Sequence, residues 1–221
     1  MKTTLYILLL ALSCETFAQD TLSKWSWGVV GGVERMGRSL TDTGDNQDAV
    51  EQWNSLEEKV WRLTGGVRLQ RTLSNHLSVY TGLNYADRGY RIDTLQEAGI
   101  NSLDFHFRYI ELPVGVFYNG LNFGKNSMLA GAAVNIGLNI NDVVYYNKNG
   151  QTAQFEMQAV PNVNPIVLNV SAVLGVRRAI TNTANLDVYF NGNQSLSPLS
   201  EGSLERRLNS VGLFLSITSA F

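Results

Sequence analysis

Two groups of side chains in this sequence could do chemistry. The first is Ser102, Asp104 and His106, which joins a hydroxyl, a carboxylate and one of only two histidines. A serine, a histidine and an acid can build an acyl-transfer relay, with the imidazole as general base. On one extended strand these three share a face but lie too far apart to relay a proton. A serine from another strand would have to complete the set, and no signal marks one. The second group is Glu111 with Arg62, Arg68, Arg88 and Arg177. Their strand parity points all five to one side, where a buried charge demands a partner. That predicts a lumen charge cluster; a path for protons or ions along the same groups is the rival reading.

Other chemistry finds little support. No cysteine–histidine cluster suggests zinc. The acidic stretch from Asp42 to Glu58 has no basic residue and does not match a calcium loop. It reads as a hydrated loop that accommodates a short helix. The glycines at 28, 31 and 32 lie within a strand pattern, so they cradle no phosphate. His76 falls in a short turn and reads as solvated. We expect no catalytic residue, no metal and no cofactor.

These residues must be positioned by strands. Eight segments alternate with period two: 25–34, 60–71, 77–90, 104–118, 128–141, 165–178, 185–195 and 208–221. One face carries Val, Leu, Ile and Trp. The other carries Gly, Ser, Asn and Arg in place of the long charges of a solvated surface. The connections alternate too: roughly 25, 13, 23 and 12 residues against roughly 5, 9 and 6. Asn149-Gly150 between β-prone runs predicts a hairpin from Val143 to Phe155. Phe105 and Phe107 fit the fourth segment awkwardly. Strict parity puts both rings inside, so either a bulge shifts the register or this end stands above a membrane. Pro113 lacks an N–H and is expected at a bulge.

The two ends agree with one architecture. The start has Lys2, an apolar run from Leu5 to Leu12 and small residues up to Ala18, the pattern of a signal peptide cut after Ala18. Cys14, the single cysteine, offers a lipoprotein alternative, which Ala11 and Leu12 fit poorly. At the other end Leu213, Leu215 and Ile217 alternate up to a terminal Phe221, an expected C-terminal insertion signal. Charged residues are only 16% and the formal net charge is −2, which gives nucleic acid no electrostatic purchase. Mean hydropathy is near zero, as alternation makes it in a membrane barrel. A soluble sandwich or lipocalin-like barrel would bury the same apolar face, but strand-end aromatics such as Trp25, Trp61, Tyr85 and Tyr118 favour membrane girdles.

The segment RYIELPVGVFY, Arg108 to Tyr118, resembles the signature strand of the PorT-like outer-membrane β-barrel domain of Bacteroidota. Tyr109, Glu111 and Pro113 carry that resemblance. WGVVGGVE and TGLNYADRGYRI resemble the family's opening and third strands. The resemblance implies an eight-stranded barrel, with some members serving secretion or larger outer-membrane assemblies.

The expectation is therefore an all-β, eight-stranded antiparallel up-and-down transmembrane β-barrel with short periplasmic turns and long extracellular loops. Residues 1–18 would be a signal peptide and 19–221 the barrel, in the outer membrane of a Gram-negative bacterium. The expected partners are outer-membrane lipid, the barrel-assembly machinery during insertion, and proteins of an outer-membrane complex. The expected role is a non-enzymatic scaffold or subunit with a plugged lumen; a small channel is the alternative, and a rim lipid-modifying enzyme a weaker one.

Overall fold

A computed structural model describes residues 25–42, 47–95, 100–148, 151–156, 163–200 and 204–221. The expected export signal, Cys14 and the expected cut after Ala18 lie outside the described residues. The strands are β1 (Trp25–Asp42), β2 (Glu57–Glu58), β3 (Val60–Thr72), β4 (Leu77–Leu95), β5 (Ile100–Phe123), β6 (Asn126–Lys148), β7 (Gln151–Glu156), β8 (Ile166–Ala179), β9 (Ala184–Ser195) and β10 (Leu204–Ala220). A short helix, α1 (Gln47–Ser55), lies in the first loop.

Eight of these strands close on themselves, because β1 pairs with both β3 and β10, and β4 pairs with β5. The closure can be followed through cross-strand partners. Ser26 leads to Gln70, Tyr80, Gly115, Ala133, Ser171, Asn193 and Ser210, and back onto β1 at Met36. The path returns ten residues above its start. For eight strands this stagger implies a tilt of roughly 40° and a backbone radius of roughly 8 Å. Such a bore is only wide enough for side chains.

The ring is inside-out relative to a water-soluble protein. On β5, Leu112, Val114, Val116 and Tyr118 point outward and are 43–54% exposed. Phe105, Phe107, Tyr109, Glu111 and Phe117 point inward and are buried. The same holds on β10, where Leu213, Leu215 and Ile217 face out and Phe214, Ser216 and Thr218 face in. An unbroken belt of exposed aliphatics is stable only where lipid replaces water. From Tyr118 to Ile110 the belt spans roughly 20 Å.

Inside there are two apolar layers, with polar groups between them and on the periplasmic side of the lower one. The lower layer contains Val30, Tyr80, Phe117, Leu129, Tyr189 and Phe214. The upper one contains Tyr90, Phe105, Phe107, Tyr109, Val167 and Leu208, with Leu56 below α1 packed against it. Inward glycines make room for these rings. A Cβ on Gly32 would meet the Phe214 ring at 2.5 Å, and one on Gly175 would meet Tyr189 Cβ at 2.4 Å.

The strands run further than their alternation. The ladder of β1 with β10 continues to Asp42↔Leu204, and that of β4 with β5 to Leu95↔Ile100. The loop expected after the third strand is therefore mostly sheet. Alternation records contact with lipid, whereas a ladder needs only a neighbour with free backbone groups. Val143–Lys148 and Gln151–Glu156 form the expected hairpin. Both Phe105 and Phe107 are inside, and β5 keeps strict parity from Ser102 to Asn119. The irregularity falls on β6, where Arg108 faces Asn141 and Tyr109 faces Asn139, leaving Ile140 as the extra residue. Pro113 is not at a bulge. The β4–β5 register is the same on both sides of it, Thr81↔Val114 and Asn84↔Glu111, and no pair is formed between. The missing N–H thus falls in a gap of the ladder.

Candidate functional site

The polar layer of the lumen is built from residues on seven strands. Near the periplasmic end, Arg177 Nε and Nη2 donate to the two Asp187 oxygens at 2.7 and 2.8 Å. Arg177 also donates to Gln70 Oε1 at 3.3 Å, and Gln70 Nε2 to Ser78 Oγ at 3.0 Å. Arg68 Nη1 lies 3.8 Å from Asp187, and its Nη2 donates to the Tyr189 hydroxyl at 2.5 Å. Its guanidinium carbon stands 4.8–5.5 Å from the Tyr80, Phe117 and Tyr189 ring centroids. Higher up, Arg88 Nε donates to Glu111 at 2.7 Å. Glu34 accepts from Thr64 Oγ1 at 2.6 Å and Ser210 Oγ at 2.7 Å.

All six charged groups, Glu34, Arg68, Arg88, Glu111, Arg177 and Asp187, are at most 9% exposed. Three acids face three arginines, so the layer is neutral. Four of them, Glu34, Arg68, Arg88 and Glu111, border a cavity of about 40 Å³. That is room for about three waters.

The five charges grouped by parity do not form one cluster. Glu111 takes Arg88 alone. Arg68 and Arg177 share Asp187. Arg62 leaves the group and pairs with Asp104. Glu34 and Asp187 were missed because the register between strands decides their partners. Asp187 stands directly across from Arg177 once β9 lies beside β8, and Glu34 sits across from Arg62 on β3. Tyr109 is fully buried in the upper apolar layer, and Pro113 borders the cavity. Leu213, Leu215 and Ile217 lie in the outward belt, and the Phe221 ring is 75% exposed while its N–H bonds Trp25 O at 3.0 Å.

The His106 group lies on the outer face, with the parity of Ile110 but above the belt. Its Nδ1 is 2.9 Å from Asp87, its Nε2 is 3.7 Å from Asp104, and its ring meets Tyr145 edge-on at 5.1 Å. Asp104 also takes Arg91 at 3.2 Å. Burial pulls the His106 pKa down, but hydrogen bonding to Asp104 and Asp87 outweighs it and raises the value. Burial likewise pushes Asp104 up, yet the His106 hydrogen bond and the Arg62 charge lower it to about 2. Both imidazole nitrogens face carboxylates. The serine relay that Ser102, Asp104 and His106 suggested is not assembled. His76, expected in water, has its Nδ1 2.8 Å from Asn119 O. Among the described residues, no three metal-ligating side chains come together.

A closed antiparallel ring, apolar outside and polar with aromatics inside, defines a transmembrane β-barrel. The chain belongs to the outer membrane protein beta-barrel domain family, whose model matches residues 17–201. This places it in the outer membrane. The fold is similar to that of Neisserial surface protein A, at 11% identity and a TM-score of 0.49, covering 90% of this chain and 97% of that one. It is also similar to OprG from Pseudomonas aeruginosa, at 11% identity and 0.49, over 90% and 96%. Ail of Yersinia pestis matches at 11% identity and 0.37, over 89% and 99%. No curated protein matches the sequence.

Proposed function

We propose that this barrel is a non-conducting, non-enzymatic scaffold that presents its extracellular sheet to protein partners in an outer-membrane assembly. The observation that carries the reading is the filled lumen. Two buried apolar layers and salt-bridged side chains fill it, and the cavity beside Arg88 and Glu111, about 40 Å³, is too small for a hydrated ion. The part free to act is outside. Above Ile110, β5 continues to Ile100, roughly 25 Å of sheet beyond the belt, flanked by β4, β6 and β7. A rigid base that holds such an extension suits docking. The resemblance of Arg108–Tyr118 to the PorT-like strand favours a secretion or surface assembly.

Purified protein in planar bilayers, and tagged protein from gently solubilised outer membrane, test this together. The expected result is no conductance steps and a stoichiometric co-purifying protein. Reproducible conductance, reduced or enlarged by Glu111→Gln, would replace the scaffold with the channel. A lone monomer would remove the assembly.

A further inference from the structure

The outward surface is not uniform around the ring. Across β8, β9, β10 and β1 it forms a groove of about 700 Å³. Its floor follows one row of cross-strand partners, Ala172↔Gly192↔Val211↔Arg35. Two of the four side chains are small or absent, while neighbouring rows carry Phe190, Leu213 and Leu174, all more than 40% exposed. The ideal Cβ of Gly192 would touch nothing within 4 Å. Internal packing therefore does not demand glycine there, and the concavity faces the surroundings.

The groove climbs. A row perpendicular to the strands rises ten residues of β1 per circuit, from Trp25 to Arg35. With the tilt above, this is roughly 25 Å per circuit and roughly 3 Å per strand. Ala172 thus lies roughly 9 Å below Arg35, inside the apolar belt. Arg35 lies roughly 25 Å above Trp25, level with Ile110 at the outer boundary of the belt. Lys59 stands beside it, its stem packed over Gly37 at 3.1 Å from an ideal Cβ there. Both cations are exposed, and neither has a hydrogen-bonding or acidic partner among the described residues. Of the remaining charges that line the groove, Arg38 is engaged by Glu57 at 2.7 Å, and no carboxylate lines it. An apolar lower trough ending in two exposed cations at the membrane boundary complements a molecule with acyl chains below and an anionic head above.

We infer that this groove is a binding site for a phosphorylated lipid of the outer leaflet. An acyl chain lies over Ala172 and Gly192, and Arg35 and Lys59 hold the phosphate. Trp61, paired with Arg35 across the strands and 64% exposed, flanks the head.

Native mass spectrometry of the detergent-solubilised full chain with diphosphoryl lipid A tests the site, with neutral diacylglycerol as control. The expected result is a one-to-one lipid A adduct, no matching diacylglycerol adduct, and roughly 30-fold weaker binding in Arg35→Gln/Lys59→Gln. Gly192→Leu, which fills the trough without touching the barrel interior, is expected to weaken it as well. Heat-modifiable gel mobility verifies that each variant is folded, and the single Arg35→Gln and Lys59→Gln variants stand in where the double one is not. Unchanged binding in the folded charge and Gly192 variants would overturn the proposal, as would equal binding of diacylglycerol. So would a concentration-dependent dimer lost in Gly192→Leu, because the face would then belong to a second copy of the chain.

Discussion

Replacing Asp187 by asparagine leaves the side-chain shape and removes one charge from a neutral lumen. Asp187 is fully buried and, among the described residues, is the only acid that Arg177 or Arg68 reaches. It accepts two charge-assisted bonds from Arg177 at 2.7 and 2.8 Å. Each such bond is worth about 1.5–3 kcal/mol net. Removing one partner of a buried pair costs about 3–5 kcal/mol, because the other charge stays behind without compensation. Asparagine retains one carbonyl acceptor but turns its amide donors toward two guanidinium groups, which places the expected loss at the upper end, about 4–5 kcal/mol. That is a large share of a typical folding free energy of about 5–15 kcal/mol. Denaturant unfolding of the barrel in lipid vesicles, followed by tryptophan fluorescence, reads it directly. Arg177→Met on the Asp187→Asn background removes the nearer of the two stranded charges and restores a neutral lumen, so the double variant is expected to recover at least about 2 kcal/mol. A single-variant loss below about 1 kcal/mol, or additive single and double effects, would refute the claim that this pair holds the lower lumen together.

Three further outcomes follow from the same geometry. His106 is expected to titrate above its ordinary 6.5 in an NMR pH series, and Asp87→Asn to bring it down. Because the folded value is the raised one, the stabilisation is complete below that ordinary value and disappears as pH rises through the elevated one. A pKa at or below 6.5 would contradict the Asp87 contact. Gly175→Val is expected to block folding, since its Cβ would meet Val188 O at 2.2 Å, whereas Gly31→Val, whose Cβ meets nothing within 4 Å, is expected to fold and gain up to about 1 kcal/mol. Gel mobility compares them, and equal folding would refute the packing argument. Phe221→Ala is expected to slow insertion by the barrel-assembly machinery while leaving the thermal midpoint within about 2 °C, because the ring is 75% exposed and only the backbone bonds Trp25. A lowered midpoint with normal insertion kinetics would reverse that assignment.

Period-two alternation with Gly, Ser, Asn and Arg on the second face was sufficient for the strand class, the number of strands in the ring and the direction most side chains take, Arg62 being the exception. Parity alone put Glu111, Arg68, Arg88 and Arg177 inward, and it put Phe105 and Phe107 inward where the residues looked out of place. These are properties of one strand, and one strand's sequence contains them. The extent of the strands above the membrane was not legible, because polar ladders such as Arg38↔Leu208 and Asp93↔Ser102 carry no lipid-facing alternation.

Partnership was beyond the sequence for a geometric reason. Which charges meet depends on the register of each strand pair and on the stagger of ten residues around the ring. That geometry gives Asp187 to Arg177, confines Glu111 to Arg88, and draws Arg62 away to Asp104. It also lines up Ala172, Gly192, Val211 and Arg35, from four separate strands, into a single rising groove. The sequence by itself determined the barrel, its inside and its outside. Strand register decided which neighbouring inward charges pair, and only closure of the ring brought Ser210 to Glu34, Arg68 to Asp187 and Arg35 to the groove, because these contacts join strands far apart in the chain.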